Sequence, residues 1–179
     1  GNPHLPSILQ DTGEIDPSGD FYFIHAGDPA SCLQQLKDCC SQTLPELFSL
    51  DKIKDIQVLV PMHKGTVGVQ AINSELQKHL NPNQKYLSYG DIKYGVGDKV
   101  IQRRNNYDKQ IFNGDIGQVT SVDTESGTME ARFDHDLIPF DRSDLADLQL
   151  AYAITIHKSQ GSEFPLVVIP LLKQHYIML

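Results

Sequence analysis

The sequence predicts an α/β protein in which a parallel sheet is interrupted by a small β-barrel. Three observations carry this. Ala151–Pro165 runs from an apolar segment into a polar turn and is followed by the apolar run Leu166–Leu172, the pattern of buried strand, loop and buried strand. Ile53–Val60, a short loop and an apolar series at helical spacing make a strand–loop–helix unit. Between about residues 86 and 147 glycine-rich turns separate short β-like runs, with no room for a useful helix.

Residues 1–19 hold Pro3, Pro6 and Pro17 with little periodicity, and are expected to be an irregular lead-in. Asp20–Ala26 is aromatic and β-branched and is expected to be a strand. Asp28-Pro29 supplies an N-cap and a first-turn proline for a helix with Cys32, Leu33, Leu36, Cys39 and Cys40 on its apolar face, limited by Pro45. The strand Ile53–Val60 follows. Then Val67, Ala71, Ile72, Leu76 and Leu80 recur at helical spacing as far as Asn81-Pro82. In an α/β sheet the loop between such a strand and helix lies at the ligand-binding edge. Gly65, Thr66 and Gly68 there expose N–H groups to a phosphate, or make a plain connection.

The barrel strands are expected at Asp91–Tyr94, Lys99–Arg103, Gly117–Asp123, Thr128–Phe133 and Leu137–Phe140. Asn113-Gly114 and Glu125-Ser126-Gly127 are turn signals. Leu148, Leu150, Tyr152, Ile154 and Ile156 alternate, which favours a strand leading into the polar turn, with a helical first turn around Tyr152–His157 as the alternative. Leu166–Leu172 has the unbroken apolar character of a central parallel strand, with Pro170 near its end as an objection. The chain closes on Tyr176-Ile177-Met178-Leu179 without cap or polar tail, as if cut in mid-fold.

With 179 residues and 40% hydrophobic content, the chain suits one domain or two small ones. No apolar run is long enough to span a bilayer, and no signal peptide opens the sequence, so no membrane partner is expected. Three cysteines, two of them adjacent, give neither a disulfide framework nor a zinc spacing; a reducing cytoplasm fits, and no metal site is expected. A net charge of −8 argues against an autonomous electrostatic binder of nucleic acid. Acid is concentrated between Asp123 and Asp147, whereas Lys99, Arg103, Arg104 and Lys109 cluster just upstream. A nucleic-acid contact is therefore expected to be local, with the acidic stretch facing elsewhere.

The turn itself holds Thr155, His157, Lys158, Ser159, Gln160, Gly161, Ser162 and Glu163, so hydroxyls, an imidazole, an ammonium, an amide and a carboxylate stand within nine residues. Thr155-Ile156-His157-Lys158-Ser159-Gln160-Gly161-Ser162-Glu163-Phe164 resembles motif V of superfamily 1 DNA helicases, in particular the exodeoxyribonuclease V alpha-subunit (RecD-like) family. Two further stretches agree in order: Val60–Gly68, and Gly97-Asp98-Lys99-Val100 running through Arg103–Asp108 to Phe112–Gly117. Together the three cover most of residues 58–179.

The resemblance implies a partial RecA-like (P-loop NTPase-type) domain, residues 20–86 and 148–179, carrying an SH3-like β-barrel insertion at 87–147. It implies an ATP-dependent DNA helicase, of 5′-to-3′ polarity, acting in DNA recombination and repair, with ATP and Mg²⁺ as cofactors of the intact parent. The implied partners are single-stranded DNA, the remaining helicase domains of the same polypeptide and other exodeoxyribonuclease V subunits.

By position, Thr155, His157 and Ser159 resemble residues facing single-stranded DNA, where hydroxyl and imidazole donors grip phosphates without reading sequence. Lys158 is a phosphate contact or a solvated lysine; His157, on its residue type alone, is a surface histidine or a helix-end cap. Gly161 and Glu163 resemble the nucleotide edge, where a carboxylate accepts from a ribose hydroxyl. Pro61, Lys64, Gly65 and Thr66 resemble motif IVa, which lies along the DNA in related helicases. Arg103, Arg104 and Tyr107, with Asn105 and Asn106, combine cations, amides and a stacking ring, as a single-strand contact or a solvated hairpin tip.

No G-x-x-x-x-G-K-[ST] occurs in the 179 residues. The family's arginine-bearing motifs IV and VI are expected before Gly1 and after Leu179. No catalytic residue is therefore assigned to this chain, which is expected neither to hold ATP or Mg²⁺ nor to hydrolyse ATP by itself. The alternative reading is a non-catalytic α/β scaffold presenting an SH3-like barrel to a protein partner; a third is a nucleic-acid binder that needs no nucleotide.

Overall fold

A computed structural model of the chain describes residues 21–61, 68–82 and 85–171. Asp28 opens the first helix, α1 (Pro29–Asp38), its Oδ1 accepting from the backbone N–H groups of Ala30 at 2.9 Å and Ser31 at 3.0 Å. Leu36 and Cys40 are buried on the expected face. Pro45 does not end the helical path. Cys39–Thr43 widens into a π-turn in which Leu44 N–H reaches Cys39 O, and α2 (Leu44–Phe48) restarts with Pro45 in its first turn, where no N–H is needed. Ser49, in the left-handed region at φ 54°, stops it.

The strand expected at Asp20–Ala26 does not form within the described residues 21–26. Those residues join no sheet, and Tyr22 packs on Phe48 instead, with ring centroids 6.0 Å apart. β-Branched and aromatic composition favours an extended chain but does not supply a strand to pair with.

β1 (Ile56–Val60) is shorter than expected, because the Asp51 carboxylate caps the N–H groups of Ile53 and Lys54 in a turn before it. α3 (Val69–Leu80) buries Val69, Ile72, Leu76 and Leu80. The chain then makes β2 (Leu87–Tyr89), β3 (Ile92–Tyr94), β4 (Lys99–Gln102), β5 (Ile116–Asp123), β6 (Thr128–Phe133), β7 (Asp136–Phe140), β8 (Leu148–Leu150), β9 (Ala153–Thr155) and β10 (Leu166–Val168). β10, β1 and β9 form a parallel sheet with β1 in the centre. β7, β6, β5, β4 and β8 form an antiparallel sheet in that order, kinked by a bulge between Val119 and Ser121 of β5. β2 and β3 are a separate hairpin, tied to β8 by Tyr94 OH donating to Leu148 O at 2.9 Å. The architecture is mixed α/β, a parallel sheet with an antiparallel β unit inserted between its strands.

The alternating run from Leu148 to Ile156 is two strands in two sheets. β8 pairs antiparallel with β4, β9 pairs parallel with β1, and the chain changes sheet at Ala151–Tyr152. Ala151 N–H donates to Lys99 O at 2.8 Å, and Tyr152 O accepts from Val58 N–H at 3.2 Å. The buried Gln57 amide lies 3.1 Å from Ala151 O and 3.2 Å from Tyr152 O, across the change. Period-two alternation reports a buried face but not the sheet that provides it. One hydrophobic cluster runs from Leu36 through β1 and α3 to Phe133 and Phe140, so the two sheets share a core.

Asp98 fastens the two parts. Its carboxylate accepts from Tyr152 OH at 2.7 Å, Asn81 Nδ2 at 2.8 Å, Gly95 N–H at 2.7 Å and Gln77 Nε2 at 2.5 Å. Gly97, at φ 89°, lets the chain pass close to Asn81, whose Oδ1 would stand 3.1 Å from a Cβ there.

Candidate nucleic-acid interface

The carboxyl edge of the parallel sheet is where two of the sequence motifs emerge together. Val60 ends β1 and is in register with Thr155, which ends β9, so the loops after both strands leave the sheet at one level. In open α/β sheets that edge holds ligands. Pro61 is half-buried at the start of the first loop; Lys64, Gly65 and Thr66 lie outside the described residues.

The second loop begins with a single 3-10 turn, Ile156–Ser159, closed by Ser159 Oγ donating to Ile156 O at 2.8 Å. Ser162 N–H then donates to Ser159 O at 3.0 Å. Gly161 stands at φ 85° with nothing near a Cβ position, so here the backbone itself needs glycine. The loop exposes His157, Gly161, Ser162 and Glu163. Thr155, read from the sequence as facing DNA, is only 5% exposed. As the last residue of β9 it lies beneath the turn, and exposed side chains begin with Ile156 and His157.

Lys158 is half-buried, and its ammonium is held below the ordinary lysine value by burial and then by the charge of Arg103. The two residues are 55 positions apart in sequence, and the Arg103 charge opposes that of Lys158. Arg103 is fixed by its backbone N–H, which donates to Asp147 O at 2.7 Å, while its side chain is exposed. Arg104 turns the other way, its Nε 3.5 Å from the Asp147 carboxylate.

The other two cations of the expected cluster are not surface groups for a ligand. Lys99 is buried, donating to the carbonyls of Lys54 and Ile56 at 3.3 Å and lying 5.5 Å from the Phe164 ring centre. Burial lowers its ammonium to about 8, against the opposing charges of Asp55 and Asp51. Lys109 is tied to Asp144 at 2.8 Å, to Pro139 O and over the Phe140 ring. Their aliphatic stems pack inward, which a count of charges does not reveal.

Tyr107 stands out from the β4–β5 connection, 74% exposed, with Phe112 beside it. Sequence reasoning singled out Tyr107 but gave Phe112 no role. The signal was an aromatic residue directly before the Asn113-Gly114 turn.

At the other end of the loop Glu163 is exposed and makes no ion pair among the described residues. Among the described residues no group of three or more His, Cys, Asp or Glu side chains is placed to hold a metal ion.

Two family models match in sequence order. Residues 72–133 match the SH3 domain of ATP-dependent RecD-like DNA helicases, and residues 150–179 match the UvrD-like helicase C-terminal domain. The chain belongs to the RecD-like helicase family. It is 36% identical over 124 residues to the ATP-dependent RecD2 DNA helicase of Deinococcus radiodurans, a match covering 69% of this chain and 17% of that one. It is 29% identical over 120 residues to the RecBCD enzyme subunit RecD of Buchnera aphidicola, covering 64% and 20% respectively. The RecD-like chain thus spans about a fifth of the length of these curated relatives. Among solved structures, a Bacteroides Pif1 helicase in complex with ADP-AlF3 and ssDNA aligns with a TM-score of 0.47 at 19% identity, over 83% of this chain and 44% of that one.

Among the described residues, no helix of this RecD-like chain is long and apolar enough to cross a membrane.

Proposed function

We propose that this chain is the part of an ATP-dependent DNA helicase that grips single-stranded DNA along the carboxyl edge of its parallel sheet. The observation that carries the reading is the register of Val60 with Thr155, which starts the chain segments after β1 and β9 from one edge of the parallel sheet. The family membership and the RecD2 relative's printed name, an ATP-dependent DNA helicase, support it.

In this reading the strand's phosphates meet His157, Lys158, Ser159 and Arg103, with Pro61, Lys64, Gly65 and Thr66 continuing the track. Arg104 extends it along the β4–β5 connection, where Tyr107 offers a stacking ring, and Thr155 positions the turn from below. Contacts to phosphate hold the backbone without selecting a base, as translocation demands. Gly161 and Glu163, a few residues on, face the nucleotide edge, so one short loop spans both ligands and transmits the state of one to the other. ATP with Mg²⁺ supplies the driving reaction when bound; the residues for that reaction belong to other domains of the parent.

The domain division that fits is 20–86 with 148–179 for the α/β domain and 87–147 for the barrel, with β8 at the junction closing the antiparallel sheet. The RecD relative's name, a subunit of the RecBCD enzyme, extends the proposal to other exodeoxyribonuclease V subunits as partners, to a role in recombination and repair, and to the cytoplasm as the place.

The test is unwinding by the full-length parent of duplexes carrying a 5′ or a 3′ single-stranded tail. ATP-dependent unwinding of the 5′-tailed duplex alone is expected. Absence of both unwinding and DNA-stimulated ATP hydrolysis would overturn the reading.

A further inference from the structure

The connection between β4 and β5 holds two large rings in water. Tyr107 is 74% and Phe112 44% exposed, with ring centroids 6.0 Å apart and planes at 75°, an edge-to-face pair that leaves ring faces open. The loop that carries them is tied down. Asn106 and Ile111 exchange backbone hydrogen bonds at 2.7 and 3.1 Å, and Ile111 is buried beneath. Asn105 Nδ2 lies 3.3 Å from Tyr107 OH, while Asn105 Oδ1 accepts from Asn113 N–H at 2.9 Å. Phe112 N–H donates to the Asp115 carboxylate at 2.7 Å, and Gly114 N–H to Gln102 O at 2.9 Å. The rings are therefore presented by an ordered frame, at the cost of leaving apolar surface hydrated.

We propose that Tyr107 and Phe112 form a stacking platform for an unpaired nucleobase of the strand that motif V holds by its phosphates. This rests on the single-strand reading above. Arg103, exposed at the foot of the same loop, supplies a cation on one side of the platform. Exposed Asp108, next to Tyr107, repels phosphate from the tip. The backbone is thereby directed along the Arg103 side and the base toward the rings. Stacking accepts any base, so the platform adds affinity without sequence preference.

The test uses the full-length parent and two labelled single strands of equal length, one of thymidines and one with abasic sites, titrated at one fixed salt concentration. The intact protein is expected to prefer the base-bearing strand. Phe112→Ala and Tyr107→Ala should each reduce that preference about ten-fold while sparing affinity for the abasic strand, and Phe112→Trp should retain it. A 2-aminopurine placed in the strand should be quenched by the intact protein and less by Phe112→Ala. If every variant keeps the preference of the intact protein, the platform is overturned and the phosphate track stands. Equal weakening toward both strands would also overturn it, with the rings packing against another part of the polypeptide. Binding of neither strand by the intact protein would remove the single-strand reading and the platform together.

Discussion

The hydroxyl of Tyr152 donates to Oδ1 of Asp98 at 2.7 Å, with both residues buried. One lies where the chain changes sheets and the other just before β4, so this bond ties the parallel sheet to the antiparallel one. Tyr152→Phe removes one of four donors to a carboxylate that burial has already pushed above the ordinary aspartate range. A loss of about 1–3 kcal/mol is expected in chemical denaturation. Asp98→Asn should cost at least as much, because its amide nitrogen would face N–H donors. Unchanged midpoints in both variants would show that the contact is dispensable.

Lys99 gives the fold a pH signature. Its folded-state value of about 8 lies below the lysine value of 10.5, so between those pH values the unfolded chain binds more protons than the native one. Stability from this group is present above about pH 10.5 and is lost as pH falls through 8. The stability of the native protein minus that of Lys99→Met should therefore rise by roughly 2–3 kcal/mol from pH 7.5 to 10, taking 1.36 kcal/mol per pH unit. Taking the difference cancels the titration of cysteines and tyrosines common to both. A flat difference would mean that the ammonium is solvated.

The arginines at 103 and 104 should behave differently although they are adjacent. Arg103 is exposed and its charge opposes that of Lys158, whereas Arg104 lies with its Nε 3.5 Å from the Asp147 carboxylate. Arg103→Ala and Lys158→Ala in the parent should each lower the salt dependence of single-strand affinity by about one counterion. Arg104→Ala should change it less. The measurement is a set of titrations across salt concentrations, and slopes left unchanged by Arg103→Ala and Lys158→Ala would contradict the assigned track.

Much of this was legible in the sequence because it rests on local chemistry. Asp28-Pro29 capped α1 as expected, the glycine-rich turns marked off the short strands, and Gly161 took the positive φ its place in a tight turn suggested. What could not be read depended on partners distant in the chain. Phe21–Ala26 has strand composition without a neighbouring edge. The split of Leu148–Ile156 between two sheets needed β4 and β1 in place. Pro45 was absorbed by a π-turn, a backbone adjustment that residue preferences do not encode. In the candidate interface, the inward turn of Lys99 and Lys109 follows from a shared core, and Thr155 is buried for the same reason.

The central claim, that one loop serves DNA at its start and nucleotide at its end, is tested most directly by titrating two variants of the full-length parent with both ligands. His157→Ala removes an exposed donor at the first turn; Glu163→Gln neutralises the exposed carboxylate six residues on. At fixed salt, His157→Ala should weaken single-strand binding about ten-fold and lower DNA-stimulated ATP hydrolysis, with nucleotide affinity in the absence of DNA unchanged. Glu163→Gln should weaken nucleotide binding and leave DNA affinity without nucleotide intact. Equal losses of both ligands in both variants, or no loss in either, would contradict the division of the loop.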